Sequence, residues 1–294
     1  MTDTTANRRV TRPNSNRLAR YIKTPKGSVL GLLIVLALTS IIVKHDVKSM
    51  DLAIVGAATG FVLDLVVGMF YKKKRFVSDG GIITGLIIGM IVGSFSPLYM
   101  VVVATAIAIA SKHILKVKRK PIFNPAAVGL LVVYYVFGTE ESWWGGLTLL
   151  PYAYLVLLVA VGLYISYRVK KLSQVVSYMV SYLVICAVFL LFHGTHMYAS
   201  FGFQNPLINT ALFLAFFMLT DPPTSPGKPR HQIWFGAMAA LISAGMYLIN
   251  PGELAFPFIG LLSANIVKVL QTQWFPSGAR HKQKRSERVA IPVK

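Results

Sequence analysis

Residues 98–138 read LYMVVVATAIAIASKHIL, then KVKRKPIF, then NPAAVGLLVVYYVFG. The first piece is an apolar run of 18 residues, and a helix rising 1.5 Å per residue needs about 20 to cross the hydrocarbon core of a bilayer. The second piece carries Lys116, Lys118, Arg119 and Lys120. The third is just as apolar but shorter, and it opens on Asn124-Pro125, a pair suited to starting a helix. A crossing, a basic turn and a short helix that begins at a breaker form a pattern that recurs along the chain.

Outward from this stretch, apolar segments run at about 28–43, 50–70, 81–93, 98–115, 124–138, 148–167, 175–192, 207–220, 231–249 and 254–272. The chain of 294 residues is 55% hydrophobic and only 14% charged, with a mean hydropathy of +0.61. A soluble domain carries about 25% charged residues, so one globular core cannot account for this chain. The organisation expected is a basic N-tail (1–27), one membrane domain (28–272) and a basic C-tail (273–294). Residues 28–43 follow a basic tail as a signal peptide would, but no small-residue cleavage site follows them, so they read as an uncleaved first helix.

The formal net charge of +20 raises the question of nucleic-acid binding, and the placement of the charge answers it. Of the 30 Lys and Arg residues, 27 fall in six clusters: the two tails, Lys72–Arg75, Lys112–Lys120, Arg168–Lys171 and Lys228–Arg230. The connections between those clusters hold only Lys44 and Lys48, while Lys268 lies inside the last apolar segment. Every second connection is therefore basic, which is the positive-inside pattern of a multi-pass protein of the bacterial cytoplasmic (inner) membrane. It places both termini in the cytoplasm and suits anionic headgroups of the lipid bilayer. No nucleic acid is expected as a partner. The single cysteine, Cys186, lies in an apolar run, which excludes intrachain disulfides and cysteine-ligated clusters and reads as a small buried hydrophobe.

The third, fifth and eighth segments are too short to cross alone, and each abuts a breaker: Asp79-Gly80-Gly81, Asn124-Pro125 and Asp221-Pro222-Pro223. Broken helices in a bilayer must hide their freed backbone groups within protein or around a polar cavity. Short segments at matching places in two halves are the mark of inverted repeats. The fold class expected is an all-α polytopic membrane protein of about ten transmembrane helices in two inverted five-helix repeats, about 28–138 and 148–272, with broken or half helices.

Asp64 is the one carboxylate well inside an apolar run, where ionisable groups are expensive. It reads either as an ion-pathway residue or as the partner of a nearby Lys or Arg, with Lys268 as one candidate. Asp79, Gly80 and Thr84 open the third segment, where free N–H groups and small residues admit an anion or a close helix. Asn124 and Pro125 start the fifth, and Thr220, Asp221 and Thr224 end the eighth in a hydroxyl-rich turn. Each of these is a ligand contact or a cap-and-turn device. Trp143 and Trp144, beside Glu140 and Glu141, read as an interfacial aromatic anchor, and His193 and His196 form a weak metal signal. No catalytic Ser-His-Asp set, nucleotide loop or paired carboxylates stand out.

The strings Val77-Ser78-Asp79-Gly80-Gly81-Ile82-Ile83-Thr84-Gly85-Leu86, Pro121-Ile122-Phe123-Asn124-Pro125-Ala126-Ala127-Val128-Gly129 and Phe216-Phe217-Met218-Leu219-Thr220-Asp221-Pro222-Pro223-Thr224-Ser225-Pro226 together resemble one membrane family. It is that of the D subunit of the Rnf electron transport complex and the B subunit of the sodium-pumping NADH:quinone oxidoreductase (RnfD/NqrB), and the likeness covers about residues 28–272. The resemblance implies the inverted-repeat fold of urea transporters and electron transfer through flavin coupled to ion translocation. It also implies an acidic residue near the end of the second helix, which Asp64 matches, and the three motifs as the cofactor-binding stretches. Other membrane and peripheral subunits of an oxidoreductase (translocase) complex are the implied partners, with quinone as a further ligand. The family esterifies FMN to a threonine in a loop after the fifth helix. Here that loop lacks the motif, and Thr139 and Thr148 are its only threonines, so the expected cofactor is a noncovalent FMN or riboflavin. The alternative is a transporter or channel for a cation or small solute on the same fold, without flavin.

Overall fold

The computed structural model describes residues 17–70, 79–117, 119–148, 150–193, 205–249 and 255–274. Each of the ten apolar segments is a helix: α2 (Pro25–Lys44), α3 (Val47–Phe70), α4 (Asp79–Ile91), α5 (Leu98–Ile114), α6 (Pro125–Phe137), α7 (Ala153–Arg168), α8 (Leu172–His193), α9 (Asn205–Phe213), α10 (Pro229–Ile249) and α11 (Phe256–Trp274). A short α1 (Arg17–Ile22) precedes them. A two-stranded hairpin, β1 (Lys116–Val117) with β2 (Lys120–Pro121), joins α5 to α6. The molecule is an all-α polytopic membrane protein.

Four helices, α2, α3, α8 and α10, are long and apolar enough to cross a bilayer. Their outward faces are apolar too: Val176, Val180, Val184 and Val188, four residues apart on α8, are all exposed. In water such a stripe would be a liability, whereas in lipid it is the ordinary surface. The helices α4 and α6 have 13 residues each and span about 20 Å, short of a bilayer core. α9 gives way after Phe213 to a π turn, Leu214–Met218, closed by the Leu219 N–H donating to Leu214 O at 2.8 Å. The eighth segment, expected as one apolar run at 207–220, is thus an α-helix and a π turn in series.

Sequence dictates the tightest packing. Gly56 and Gly60 on α3 face Gly81 and Gly85 on α4. A methyl group at Gly85 would lie 1.9 Å from the Gly56 carbonyl oxygen, and one at Gly60 would lie 2.1 Å from that of Gly81. Small residues four apart are what bring two helix backbones together in a membrane, where no hydrophobic force draws them.

The connections gather at two ends. At the basic-poor end Asp46 accepts from the Ser49 N–H (3.2 Å), the Ser49 hydroxyl (2.6 Å) and the Ser94 hydroxyl (2.8 Å), tying the α2–α3 turn to the α4–α5 turn. Gly138, in the left-handed conformation at φ 64°, ends α6 with its N–H on Tyr134 O. The chain then turns inward. Trp143 and Trp144 are 0% and 1% exposed, Trp143 stacks on Phe258 at 5.0 Å, and the Trp144 indole donates to Gly89 O at 2.9 Å. This corrects the expected interfacial anchor: the pair plugs the seam between the first five-helix set and α11 of the second. Thr148 and Leu150 are buried in this connection, and α7 starts at Ala153, later than expected.

Candidate functional site

At the basic end, two polar clusters and one cleft hold most of the residues singled out in the sequence. Asp64 is 2% exposed on α3. Its carboxylate receives Lys112 Nζ at 3.2 and 3.3 Å and faces His113 Nε2 at 3.4 Å, both from the last turn of α5. Asp64 thus meets Lys112 and His113 rather than Lys268. Gly81 makes this arrangement fit, because a methyl there would lie 2.6 Å from Asp64 Cβ. The Asp79-Gly80-Gly81 motif therefore opens α4 directly against Asp64, and the Thr84 hydroxyl turns back onto Gly80 O at 2.7 Å. Val77, Ser78 and the Lys72–Arg75 cluster lie outside the described residues, as do His196 and the His193 side chain.

The second cluster joins the two halves. Asn124 caps α6, its Oδ1 accepting from the Ala127 N–H at 3.1 Å, with Pro125 at the first helical position. Its Nδ2 donates to Met218 O at 2.9 Å, a carbonyl at the end of the π turn. Its backbone N–H donates to Asn265 Oδ1 at 2.9 Å, and Asn265 Nδ2 donates to Thr224 O at 3.1 Å. The π turn and Pro222 free several carbonyls of this chain segment, and side chains from four helices satisfy them. Gln174 Nε2 donates to Leu219 O, Lys171 Nζ to Pro226 O, Lys268 Nζ to Pro223 O (2.8 Å) and Gln232 Nε2 to Gly227 O (3.2 Å). Within the turn Thr224 Oγ1 donates to Asp221 Oδ2 at 2.9 Å, and the Thr220 hydroxyl donates to Phe216 O at 2.6 Å. This is how a bilayer protein hides broken backbone.

Burial, with the neighbouring Lys268 and Lys120 cations, pushes the Lys171 ammonium down to about 8, against the opposing pull of Asp221. Lys171, Gln174, Gln232 and Asn265 were not singled out as site residues from sequence. Their signal was there in part: Gln174, Gln232 and Asn265 are polar residues within or at the edge of apolar runs.

Beside this cluster a cleft of about 810 Å³ opens between the β1–β2 hairpin, the 222–228 turn, the start of α10 and the end of α11. Its walls include Ile122, Pro222, Pro223 and Trp234, and its cations Lys120, Lys228, Arg230 and Lys268. Thr139 and Thr148 lie far along the chain from it, in the buried loop at the other end. They are 7% and 5% exposed, and the Thr148 hydroxyl donates to Ser142 O at 2.8 Å. Both side chains are buried, so a phosphoester on either would require this loop to open.

No curated protein matches the chain. The model of the NQR2, RnfD, RnfE family matches twice, over residues 17–149 and 145–267, one match to each five-helix half.

Proposed function

The chain belongs to the NQR2, RnfD, RnfE family, as a membrane subunit of complexes of that type, and from this premise we propose that it passes electrons through a noncovalent flavin while ions cross the membrane. The double family match carries this reading. A flavin ring needs an apolar slot and a few polar edge groups, and ligand sites of this kind enclose about 300–1,000 Å³. The cleft at the basic end has that size, with Trp234, Ile122, Pro222 and Pro223 among its walls and Gln271 as a polar lining group. The polar atoms of Asn124, Thr220 and Thr224 are engaged within the protein, so these residues hold the neighbouring turn rather than line the cleft. Flavin, when bound, supplies one- and two-electron chemistry, and the chain supplies the slot, its charge and its distance from partners.

Asp64 is the ion-pathway residue in this reading. Its buried carboxylate carries an ammonium where a travelling cation would rest, so an ion crosses by exchanging with Lys112. The basic end faces the cytoplasm of a bacterial inner membrane, with both termini on that side. With one cysteine the chain cannot hold the iron–sulfur clusters that draw electrons from ferredoxin. Other membrane and peripheral subunits supply that entry, and quinone is the acceptor class that a membrane-embedded carrier reaches most directly.

Affinity purification of the chain from native membranes in mild detergent tests this. Flavoprotein and iron–sulfur subunits in stoichiometric yield are expected, whereas the chain recovered alone would contradict the reading. A flavin-free transporter on the same scaffold is the second reading, favoured by the crowded threonines of the loop. Solute or cation uptake by the isolated chain in liposomes, lost in Asp64→Asn, is its mark.

A further inference from the structure

We propose that the cleft at the basic end is a phosphate-binding site for an anionic ligand with an apolar body, held by Lys120, Lys268 and Arg230. Four cations line it, from three separate elements: Lys120 on the hairpin, Lys228 and Arg230 where α10 begins, and Lys268 on α11. Lys171 stands just behind, its ammonium on Pro226 O. Asp221 is the carboxylate that opposes these charges among the described residues, and its Oδ2 already accepts from Thr224. Gathering like charges in a partly enclosed cleft is unfavourable until an anion enters, and the cost of their repulsion becomes attraction for it.

The chemistry of these groups favours phosphate among anions. Arg230 and His231 line the cleft from the first turn of α10, a helix of 21 residues whose leading N–H groups have no intrahelical acceptor and favour an anion. Arg offers a fork and Lys a point charge, and such groups lining one cleft suit an anion with several oxygens. Lys268 is already set in place by its bond to Pro223 O. Apolar walls complete much of the cleft, Val117, Ile122 and Pro223 among them, with Trp234 63% exposed, a ring suited to the depth of lipid headgroups. Two sources carry this chemistry: a free phosphomonoester such as FMN, or the headgroup of an anionic phospholipid. The inference rests on the cleft and stands whether or not the chain carries flavin.

The test uses the full chain in nanodiscs. In phosphatidylcholine discs, FMN and riboflavin are titrated by fluorescence. In parallel, melting temperature is compared between phosphatidylcholine discs and discs containing phosphatidylglycerol. FMN binding about tenfold tighter than riboflavin identifies the free phosphate ester, and a higher melting temperature with phosphatidylglycerol identifies the headgroup. Either result supports the site, provided Lys120→Gln/Arg230→Gln weakens the effect about 25-fold, near fivefold per cation. Both side chains are exposed, so folding is not at stake. Lys268→Arg keeps the effect and Lys268→Gln loses it. Equal or absent binding of the two flavins together with no lipid effect overturns the proposal, as does an effect unchanged in the double variant. A phosphatidylglycerol effect in protein purified without flavin would uphold this site while refuting the flavin reading.

Discussion

Asn124→Ala removes the side chain that ties the two halves together. Two losses follow, and the structure sets the size of each. The cap on α6 goes with Oδ1, which accepts from Ala127 N–H, at a cost of about 1 kcal/mol. Losing Nδ2 leaves the buried Met218 carbonyl with only the long bond from the Asp221 N–H at 3.4 Å, at a cost of about 1–3 kcal/mol. The bond from the Asn124 backbone N–H to Asn265 survives. The sum is about 2–4 kcal/mol, and for a chain of this size each kcal/mol lowers the melting temperature by about 2–4 °C. The assay is thermal unfolding of purified protein in one detergent, so that variants differ in nothing else. Asn124→Asp separates the terms: the carboxylate keeps the cap and suits the helix N-terminus, but it presents an oxygen to Met218 O. It is therefore expected to melt below the parent at pH 8 and to recover as the pH falls, when the protonated acid can donate. An Asn124→Ala protein melting within about 1 °C of the parent, or an Asn124→Asp protein equal to the parent at pH 8, would refute the reasoning.

Four further outcomes are expected. Asp64→Asn in the assembled complex should leave electron transfer running while ion uptake into vesicles falls about tenfold or more, a loss of roughly 1.4 kcal/mol in charge stabilisation; unchanged uptake would remove Asp64 from the path. Gly85→Ala places a methyl 1.9 Å from Gly56 O and should abolish monodisperse protein by gel filtration, whereas Gly31→Ala, with nothing within 4 Å, should not. Lys171 holds its proton less tightly when folded, at about 8 against an ordinary 10.5, so the unfolded chain binds more protons between those values and stability rises with pH across that window. Lys171→Met should flatten that rise in melting temperature. Glu141 is the opposite case: burial pushes its carboxyl well above the usual range against a weaker pull from the Trp143 indole, and neither carboxyl oxygen has a partner among the described residues. Stability should therefore fall as pH climbs above the usual carboxylate value, and Glu141→Gln should raise the pH 7 melting temperature by about 3 °C or more while changing little near pH 4.

The helices were legible because in a bilayer one term dominates: a segment either removes its backbone polar groups from lipid or does not cross. All ten segments became helices, and the breakers at Asp79, Asn124 and Asp221 mark real helix ends. What was hidden depended on partners distant in sequence. The Trp143-Trp144 pair reads as an interfacial anchor until Phe213 and Phe258, from the other half, are seen to close over it. Lys112 is 48 residues from Asp64, and nothing in the sequence ranks it above Lys268 as a partner. The bonds from Gln174 and Lys171 to freed carbonyls were equally beyond reach, since a backbone acceptor leaves no trace in residue identity. Asn124-Pro125 announced a helix start, yet its second duty, holding Met218 O, emerged only with the fold.

The central claim, a noncovalent flavin carrier within a membrane complex, is tested most directly by an absorption spectrum of the complex purified through this chain, repeated after acid precipitation. Flavin bands that move to the supernatant, and that diminish when the cleft is altered by Trp234→Ala, are the predicted result. Flavin held in the pellet on this chain would contradict the noncovalent mode and direct attention to Thr139 and Thr148, and a complex with no flavin bands assignable to this chain would contradict the account itself.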